Sequence, residues 1–514
     1  MPLPLRYLAA LALSLVGHAA ASAQQVFVLP YVQPGDGSTL TGTDTKVVCW
    51  TTDQTPGAFA VEYSVNGGPR LSVKPVRVQL DFPPLKPAAP KKLEVAPPPR
   101  EVIGPPKPKG PDDEPDHPKM VLPAEREQKF FLYAATITDL PFNATLTYRV
   151  KLGDKTVREA ACRTRATAEK TVRCVMVGDL AQGRDGQKAI AHLIAGEKPE
   201  FLVALGDIVY PQGRFNQYEA FYWHTYNNVP TPGPKAGAPL MASVPFYAVL
   251  GNHDIAVKPG AVPDALAAYY FFHGPKNGPG EGPWATQIGT DAAAKKFRAN
   301  TFGNYPAMDA YSFDYGPAHF AVINDNGSLK ITDPKLTKWL RADLTGTTAK
   351  WKFVCYHVPG FNASKQHYAE QQARLLNPLF EECGVDATFA GHVHNYQRSL
   401  PLKFAPDDKG LVKGKVNGAF TLDTDFDGVT NTVPKGVIHF VAGGGGASLY
   451  GPSPEKVAAE LKKTHGDNYA PFTAKATADK HTFVVMDLSP DKLVLRAIAA
   501  DGTEVDKITV TKRK

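Results

Sequence analysis

Five apolar runs, 172–177, 201–205, 246–250, 353–355 and 387–390, each end in a short block rich in Gly, Asp, Asn, His and Tyr. The blocks are Gly178-Asp179, Gly206-Asp207-Ile208-Val209-Tyr210, Gly251-Asn252-His253-Asp254, Tyr356-His357 and Gly391-His392-Val393-His394. Runs this short and this apolar read as buried strands of a largely parallel sheet, where ligands gather outside the carboxyl ends of the strands. The blocks are therefore expected to converge although the chain scatters them. Taken singly, each polar residue reads as a satisfied structural group. Together they are costly to bury without partners, so one shared metal site accounts for them better than five unrelated hydrogen-bond networks.

Carboxylates, imidazoles and a phenol are hard-to-borderline donors that suit iron, zinc, manganese or magnesium and need no cysteine. Two such ions a few ångströms apart clamp the attacking and leaving oxygens of a phosphoryl transfer and lower the pKa of a shared water toward neutrality.

The order GD, GDxxY, GNHD, H, GHxH resembles the calcineurin-like metallophosphoesterases, and among them the purple acid phosphatases, from residue 172 to the C-terminus. Most of that superfamily carries D-x-H in its first motif. Here Ala181 stands two after Asp179 and cannot coordinate, while Tyr210 supplies a donor, an exchange that marks the purple acid phosphatases. The first block departs from the family's GDLG, reading Gly178-Asp179-Leu180-Ala181. The resemblance implies a binuclear centre of Fe(III) plus a divalent ion (Fe, Zn or Mn). Asp179, Tyr210 and His394 would hold the ferric ion, Asp207 would bridge, and Asn252, His357 and His392 would hold the divalent ion. His253 would face the substrate phosphate and assist the leaving group, with Asp207 the other catalytic residue. Asp254 would stand behind His253 or His394 as a hydrogen-bond acceptor.

The fold so implied is α/β, a four-layer α/β/β/α metallophosphoesterase sandwich over 171–514 preceded by a fibronectin type III-like β-sandwich over 24–165. The activity implied is hydrolysis of phosphate monoesters by attack of a metal-bound hydroxide. A phosphodiesterase on the same scaffold is the alternative, and a binding or adhesion protein with a vestigial metal site is a more distant one.

Three further features carry two readings each. His367, ten residues after His357, either faces substrate phosphate or caps an exposed turn. Asp423-Thr424-Asp425-Phe426-Asp427-Gly428 matches the first half of a calcium loop, but Pro434 stands where its closing Glu belongs, so an acidic surface turn is expected. The glycines 443–446 lack the Lys and Ser/Thr of a phosphate-binding loop and read as a tight bend near the metal site.

The 514 residues allow more than one domain. Arg6, an apolar stretch over 7–16 and Ala21-Ser22-Ala23 read as a signal peptide over 1–23, so the mature chain is expected to be exported: periplasmic, envelope-associated or extracellular, with no stable membrane insertion. The five cysteines are too few for a disulfide scaffold. Cys49 and Cys162 could pair, while Cys174, Cys355 and Cys383 look like core residues. A formal charge of +7 suits a small phosphorylated substrate, and without a basic stripe interleaved with aromatics no nucleic-acid partner is expected. The oligomeric state stays open.

The stretch 81–128 holds 14 of the 46 prolines with many charges, and is expected to be an exposed insertion with polyproline character. Around it, alternation suggests that 46–52 pairs with 58–64 about Trp50, and 129–138 with 145–152. The phrase containing Tyr148 resembles the tyrosine-bearing end of a fibronectin type III-like module. Residues 255–300, rich in Gly, Pro and aromatics such as Tyr269, Tyr270 and Trp284, read as a lid or wall over the site, or as a surface elaboration. Strands at 482–488, 492–499 and 504–511 suggest a second sheet stacked on the first.

Overall fold

Among the residues that the computed structural model describes, 24–85, 120–451 and 470–512, eight strands precede the first apolar run, 172–177. They are β1 (Val26–Gln33), β2 (Asp44–Thr52), β3 (Phe59–Val65), β4 (Leu71–Val73), β5 (Val76–Phe82), β6 (Gln128–Leu140), β7 (Thr145–Leu152) and β8 (Lys155–Arg163). They form two four-stranded sheets, ordered β1-β2-β6-β5 and β4-β3-β7-β8. The expected pairings are corrected here. β2 pairs with β6 and β3 with β7, so each expected pair straddles the two sheets. Trp50 does meet Phe59, with ring centroids 5.1 Å apart, but across the core of the sandwich and not along a ladder. Alternation tells which face a residue takes and says nothing of which strand lies beside it.

The same alternation rules out the cysteine pair. Cys162 joins Trp50 inside the sandwich, whereas Cys49, one residue from Trp50, points out of the other face, and both thiols are free. The Tyr148 hydroxyl donates to the Ala242 carbonyl at 2.8 Å, so this tyrosine ties the N-terminal region to the segment that follows. The proline-rich stretch joins β5 to its neighbour β6; its residues 86–119, like the signal-peptide reading over 1–23, lie outside the described residues.

Two mixed sheets form the rest. The first contains β9 (Val172–Val177), β10 (Phe201–Leu205), β11 (Phe246–Val249), β21 (Thr482–Leu488), β22 (Lys492–Ala499) and β23 (Glu504–Thr511), ordered β11-β10-β9-β21-β22-β23. The second contains β12 (Ala310–Tyr315), β13 (Ala318–Ile323), β14 (Trp351–Cys355), β15 (Ala387–Ala390), β16 (Tyr396–Ser399), β19 (Ile438–Ala442) and β20 (Thr473–Thr477), ordered β12-β13-β14-β15-β19-β16-β20. A hairpin of β17 (Leu402–Val412) and β18 (Lys415–Leu422) stands apart.

Strand alternation builds the layers. On β9, Cys174 and Met176 face the second sheet, where they meet Phe320, Phe353 and Phe389. Val175 and Val177 face Ile190 and Ile194 of the helix Asp185–Glu197. On β13 and β14, Ala321, Ile323 and Val354 face Leu336, Leu340 and Leu344 of the helix Pro334–Gly346. The order is helix, sheet, sheet, helix. All five apolar runs are strands, but they do not share one sheet: β9, β10 and β11 lie in the first, β14 and β15 in the second. The C-terminal strands β21–β23 extend the first sheet instead of making a second one. A strand apolar on both faces reads alike in either sheet.

The aromatics within 255–300 are core, not lid. The Tyr31 hydroxyl donates to the Phe271 carbonyl at 3.0 Å, and Tyr269, Tyr270 and Trp284 are buried. The acidic turn has its oxygens engaged: Asp427 accepts the main-chain N–H of Val429, Thr430 and Asn431, and Lys435 Nζ lies 2.9 Å from Asp425. No helix among the described residues is long and apolar enough to cross a membrane.

Candidate metal centre

The carboxyl ends of β9, β10, β11, β14 and β15 meet at the seam between the two sheets. Gly178 N–H, just past β9, donates to the Ala442 carbonyl of β19 at 2.8 Å. An ideal Cβ at Gly206 would lie 2.4 Å from His357 Nδ1, and one at Gly391 would lie 2.7 Å from Asp179 Oδ2. The motif glycines leave room for another motif's side chain. Asp179, Asp207, His367 and His392 hold left-handed φ of 59°, 48°, 58° and 66°. Such backbone costs roughly 1 kcal/mol or more per non-glycine residue and gathers at functional sites.

Two donor groups result. In the first, the Tyr210 hydroxyl lies 3.0 Å from both Asp179 Oδ1 and His394 Nε2, and 3.2 Å from Asp207 Oδ2. In the second, His357 Nε2 lies 3.1 Å from Asn252 Oδ1 and 3.3 Å from Asp207 Oδ1, with His392 alongside. The ligand atoms of Asp179, Asp207 and His394 all lie within 4.8 Å of one another, as do those of Asp207, His357 and His392. Asp207 thus turns one oxygen to each group.

Main-chain carbonyls settle how the imidazoles face. His357 Nδ1 lies 2.8 Å from the Leu205 carbonyl and His394 Nδ1 lies 2.6 Å from the Ser448 carbonyl. A carbonyl only accepts, so each Nδ1 carries a proton and each Nε2 is aimed at the carboxylates. His392 is reversed: its Nε2 meets Glu370 Oε2 at 3.1 Å, which leaves Nδ1 as the free ligand atom. Burial works against a charged His357, but the Asp207 carboxylate outweighs it and pushes the imidazole up to about 10. Such a proton is what a bound cation displaces. Burial, then the Asp179 and Asp207 charges, hold the Tyr210 hydroxyl far above the usual phenol range.

Residues 172–396 match the calcineurin-like phosphoesterase family. A purple acid phosphatase of Glycine max is 24% identical over 282 residues, 52% of this chain and 53% of its own length. The Fe(3+)-Zn(2+) purple acid phosphatase 12 of Arabidopsis thaliana is 25% identical over 235 residues, 44% of this chain and 42% of its own. The solved purple acid phosphatase PPD1 from yellow lupin (Lupinus luteus) seeds has a TM-score of 0.57 at 16% identity, covering 95% of this chain and 74% of that one. Residues 172–396 thus carry a calcineurin-like phosphoesterase domain, and the chain is similar to purple acid phosphatases in sequence and shares the fold of a solved one. It spans about half the length of the curated relatives it matches.

The other expected site residues of the chain fall into place unevenly. His253 donates from Nδ1 to the Pro211 carbonyl at 2.7 Å, and its Nε2 lies 3.9 Å from Asp207 Oδ2, with its side chain 21% exposed. Asp254 is corrected: its side-chain hydrogen bonds go to neither His253 nor His394. Its buried carboxylate accepts the N–H of Ile208 and Gly251 at 2.9–3.2 Å and so ties the second motif to the third. Burial and the Asp207 charge push it up to about 7. His367 does belong to the site wall, its ring 4.0 Å from that of His392, with Nδ1 on Glu370 at 2.7 Å and Nε2 on the Tyr450 hydroxyl at 3.2 Å. The glycine bend wraps the first motif, Gly445 N–H reaching the Gly178 carbonyl at 3.1 Å and Ala447 N–H the Asp179 carbonyl at 2.9 Å.

Three contributors were missed. Burial alone would raise Glu370, but hydrogen bonds from His367 and His392 hold it well below the usual range. Tyr450 stacks on His394 with centroids 4.1 Å apart. Asp325 accepts the N–H of His357 at 2.9 Å and of Val358 at 3.0 Å. Asp325 was legible: Asn324-Asp325-Asn326 follows the apolar β13 just as the five blocks follow their strands. Tyr450 carried no such signal.

Proposed function

We propose that the chain is an exported two-metal phosphohydrolase that cleaves phosphate monoesters. The observation that carries this is Asp207, whose Oδ2 meets Tyr210 at 3.2 Å and whose Oδ1 meets His357 at 3.3 Å, one oxygen in each donor group. A carboxylate shared in this way between the two donor groups could contribute to both metal sites. The donor sets fit the metals as well. A phenol, two carboxylates and an imidazole suit a ferric ion, held by Asp179, Tyr210, His394 and Asp207. An amide oxygen, two imidazoles and a carboxylate suit a divalent one, held by Asn252, His357, His392 and Asp207. The similarity to a relative named for Fe(3+) and Zn(2+) supports that pair. When bound, the two ions supply an activated water and neutralise charge on the phosphoryl oxygens.

The chain's own residues supply the rest. His253, partly exposed with Nε2 toward Asp207, is placed to hold a proton for the leaving oxygen. His367 reaches a substrate phosphate by exchanging the Tyr450 hydroxyl for a phosphoryl oxygen, while Glu370 keeps its ring in place. The N-terminal sandwich is read as a fibronectin type III-like module without catalytic residues, and the apolar leader-like start supports export.

Metal analysis and a visible spectrum of the purified chain and its Tyr210→Phe variant, with parallel assays on a mono- and a bis-aryl phosphate, test this reading. About two metals per chain, a visible band lost in Tyr210→Phe and faster monoester turnover are expected. A chain that binds no metal overturns the reading, and a preference for the diester makes the protein a phosphodiesterase.

A further inference from the structure

Tyr210 and Arg214 end a five-residue link whose two halves face different parts of the molecule. The first half carries the Tyr210 hydroxyl and the Pro211 carbonyl that accepts His253 Nδ1 at 2.7 Å. The second half ends in the Arg214 guanidinium, whose side chain is only 6% exposed. Its Nε donates to Asp264 Oδ1 at 2.8 Å, and Asp264 in turn accepts Gln128 Nε2 at 2.9 Å. Both terminal nitrogens are taken by Glu125, at 2.5 and 2.9 Å.

Glu125 precedes β6 and belongs to the described end of the proline-rich insertion. A fork-to-fork pair of this kind fixes direction as well as distance. Between the two halves nothing is slack: Gly213, at φ 60°, has Asp254 Cα 2.7 Å from where a Cβ would stand, and its carbonyl accepts Ala267 N–H at 2.9 Å. Without Glu125, two buried guanidinium nitrogens lose their acceptor, and the low-energy response is for Arg214 to swing toward water and take the link with it.

We propose that Glu125 is a positioning residue of the catalytic centre, which acts through Arg214 to hold the Pro211 carbonyl and with it the plane and protonated nitrogen of His253. This rests on the phosphohydrolase reading only for its kinetic consequence. The N-terminal region then shapes proton donation to the leaving group without touching substrate.

The test uses the full chain with Glu125→Gln, Glu125→Ala and Arg214→Lys. The first readout is independent of activity: the Nδ1–H resonance of His253 in imidazole NMR, assigned by its loss in His253→Asn. With diamagnetic Ga(III) in place of the ferric ion and Zn(II) as the divalent one, it is expected to be sharp in the parent and lost to exchange in Glu125→Ala and in Arg214→Lys, whose ammonium cannot fill the fork. The second compares an alkyl phosphate, which needs its leaving oxygen protonated, with an aryl phosphate, which does not. In Glu125→Gln and Glu125→Ala, kcat for the alkyl ester should fall about tenfold while the aryl ester changes by less than about twofold, with KM unchanged. An unaltered His253 resonance in both Glu125 variants, or an equal fall for both esters that tracks the melting temperature, overturns the proposal. A parent chain that hydrolyses neither ester overturns the phosphohydrolase reading instead, and the resonance alone then decides the role of Glu125.

Discussion

The Nδ1–H of His357 donates to the Leu205 carbonyl at 2.8 Å, so an imidazole at the end of a strand in the second sheet is aimed by the last residue of a strand in the first. Neither sheet alone presents His357 Nε2 to Asp207. The second donor group therefore exists only when the two sheets pack, and metal binding should report on that packing.

Asp207→Asn keeps the size of the side chain but replaces one of its oxygens with an NH2 that cannot coordinate. Because Asp207 contributes to both donor groups, metal content should fall from about two to less than one per chain and turnover by about 10³-fold, with the circular dichroism unchanged. Metal analysis beside the assay checks this, and full retention of both ions would rule out the bridge.

Asp254→Ala leaves the N–H groups of Ile208 and Gly251 buried without an acceptor. Denaturant unfolding should show a loss of about 2–4 kcal/mol. Asp254→Asn retains one oxygen and should recover part of it. An alanine variant as stable as the parent would mean that the second and third motifs do not need this tie.

Gly443→Ala puts a methyl group 2.3 Å from the Val393 carbonyl and 2.8 Å from Asp179 Oδ2. Backbone on one side and a candidate ligand on the other leave no easy relief. The expected cost is about 1–3 kcal/mol, with a weaker first metal site. Thermal melting and iron content measure the two effects separately.

His319 lies between Asp314, at 2.7 Å from Nδ1, and Asp343, at 2.9 Å from Nε2, at the end of β13 away from the candidate metal ligands. Burial opposes its charge, yet the two carboxylates push it from 6.5 up to about 9. A raised folded-state value contributes stability that is fully present below about 6.5 and is lost as pH rises through about 9, at most about 3 kcal/mol. Melting curves from pH 6 to 10 should show the parent losing this increment and His319→Gln not. Parallel curves for the two proteins would refute the assignment.

The strands were the most legible part of the fold. The runs 172–177 and 201–205 coincide with β9 and β10, because a short apolar run closed by glycine marks a buried strand locally. Their partners were not legible. Trp50 and Phe59 meet through the core and the C-terminal strands β21–β23 continue the first sheet, choices made by packing between distant segments. At the site, motif order brought the seven candidate ligands together by residue number. Asp254 was misread because the donors it accepts from are main-chain N–H groups, which carry no residue identity, and Tyr450 was missed because a ring stacked on His394 follows no spacing rule.

The sequence by itself determined the donors and their chemistry: which oxygens and nitrogens stand at the ends of apolar runs is a property of residue type and local pattern. Only the tertiary structure decided which sheet each strand joins, which nitrogen of each imidazole faces the carboxylates, and that Arg214 is gripped by Glu125. Those depend on the Leu205 and Ser448 carbonyls and on carboxylates brought in from other parts of the chain, and groups so far apart in sequence are placed only by the packing of the whole.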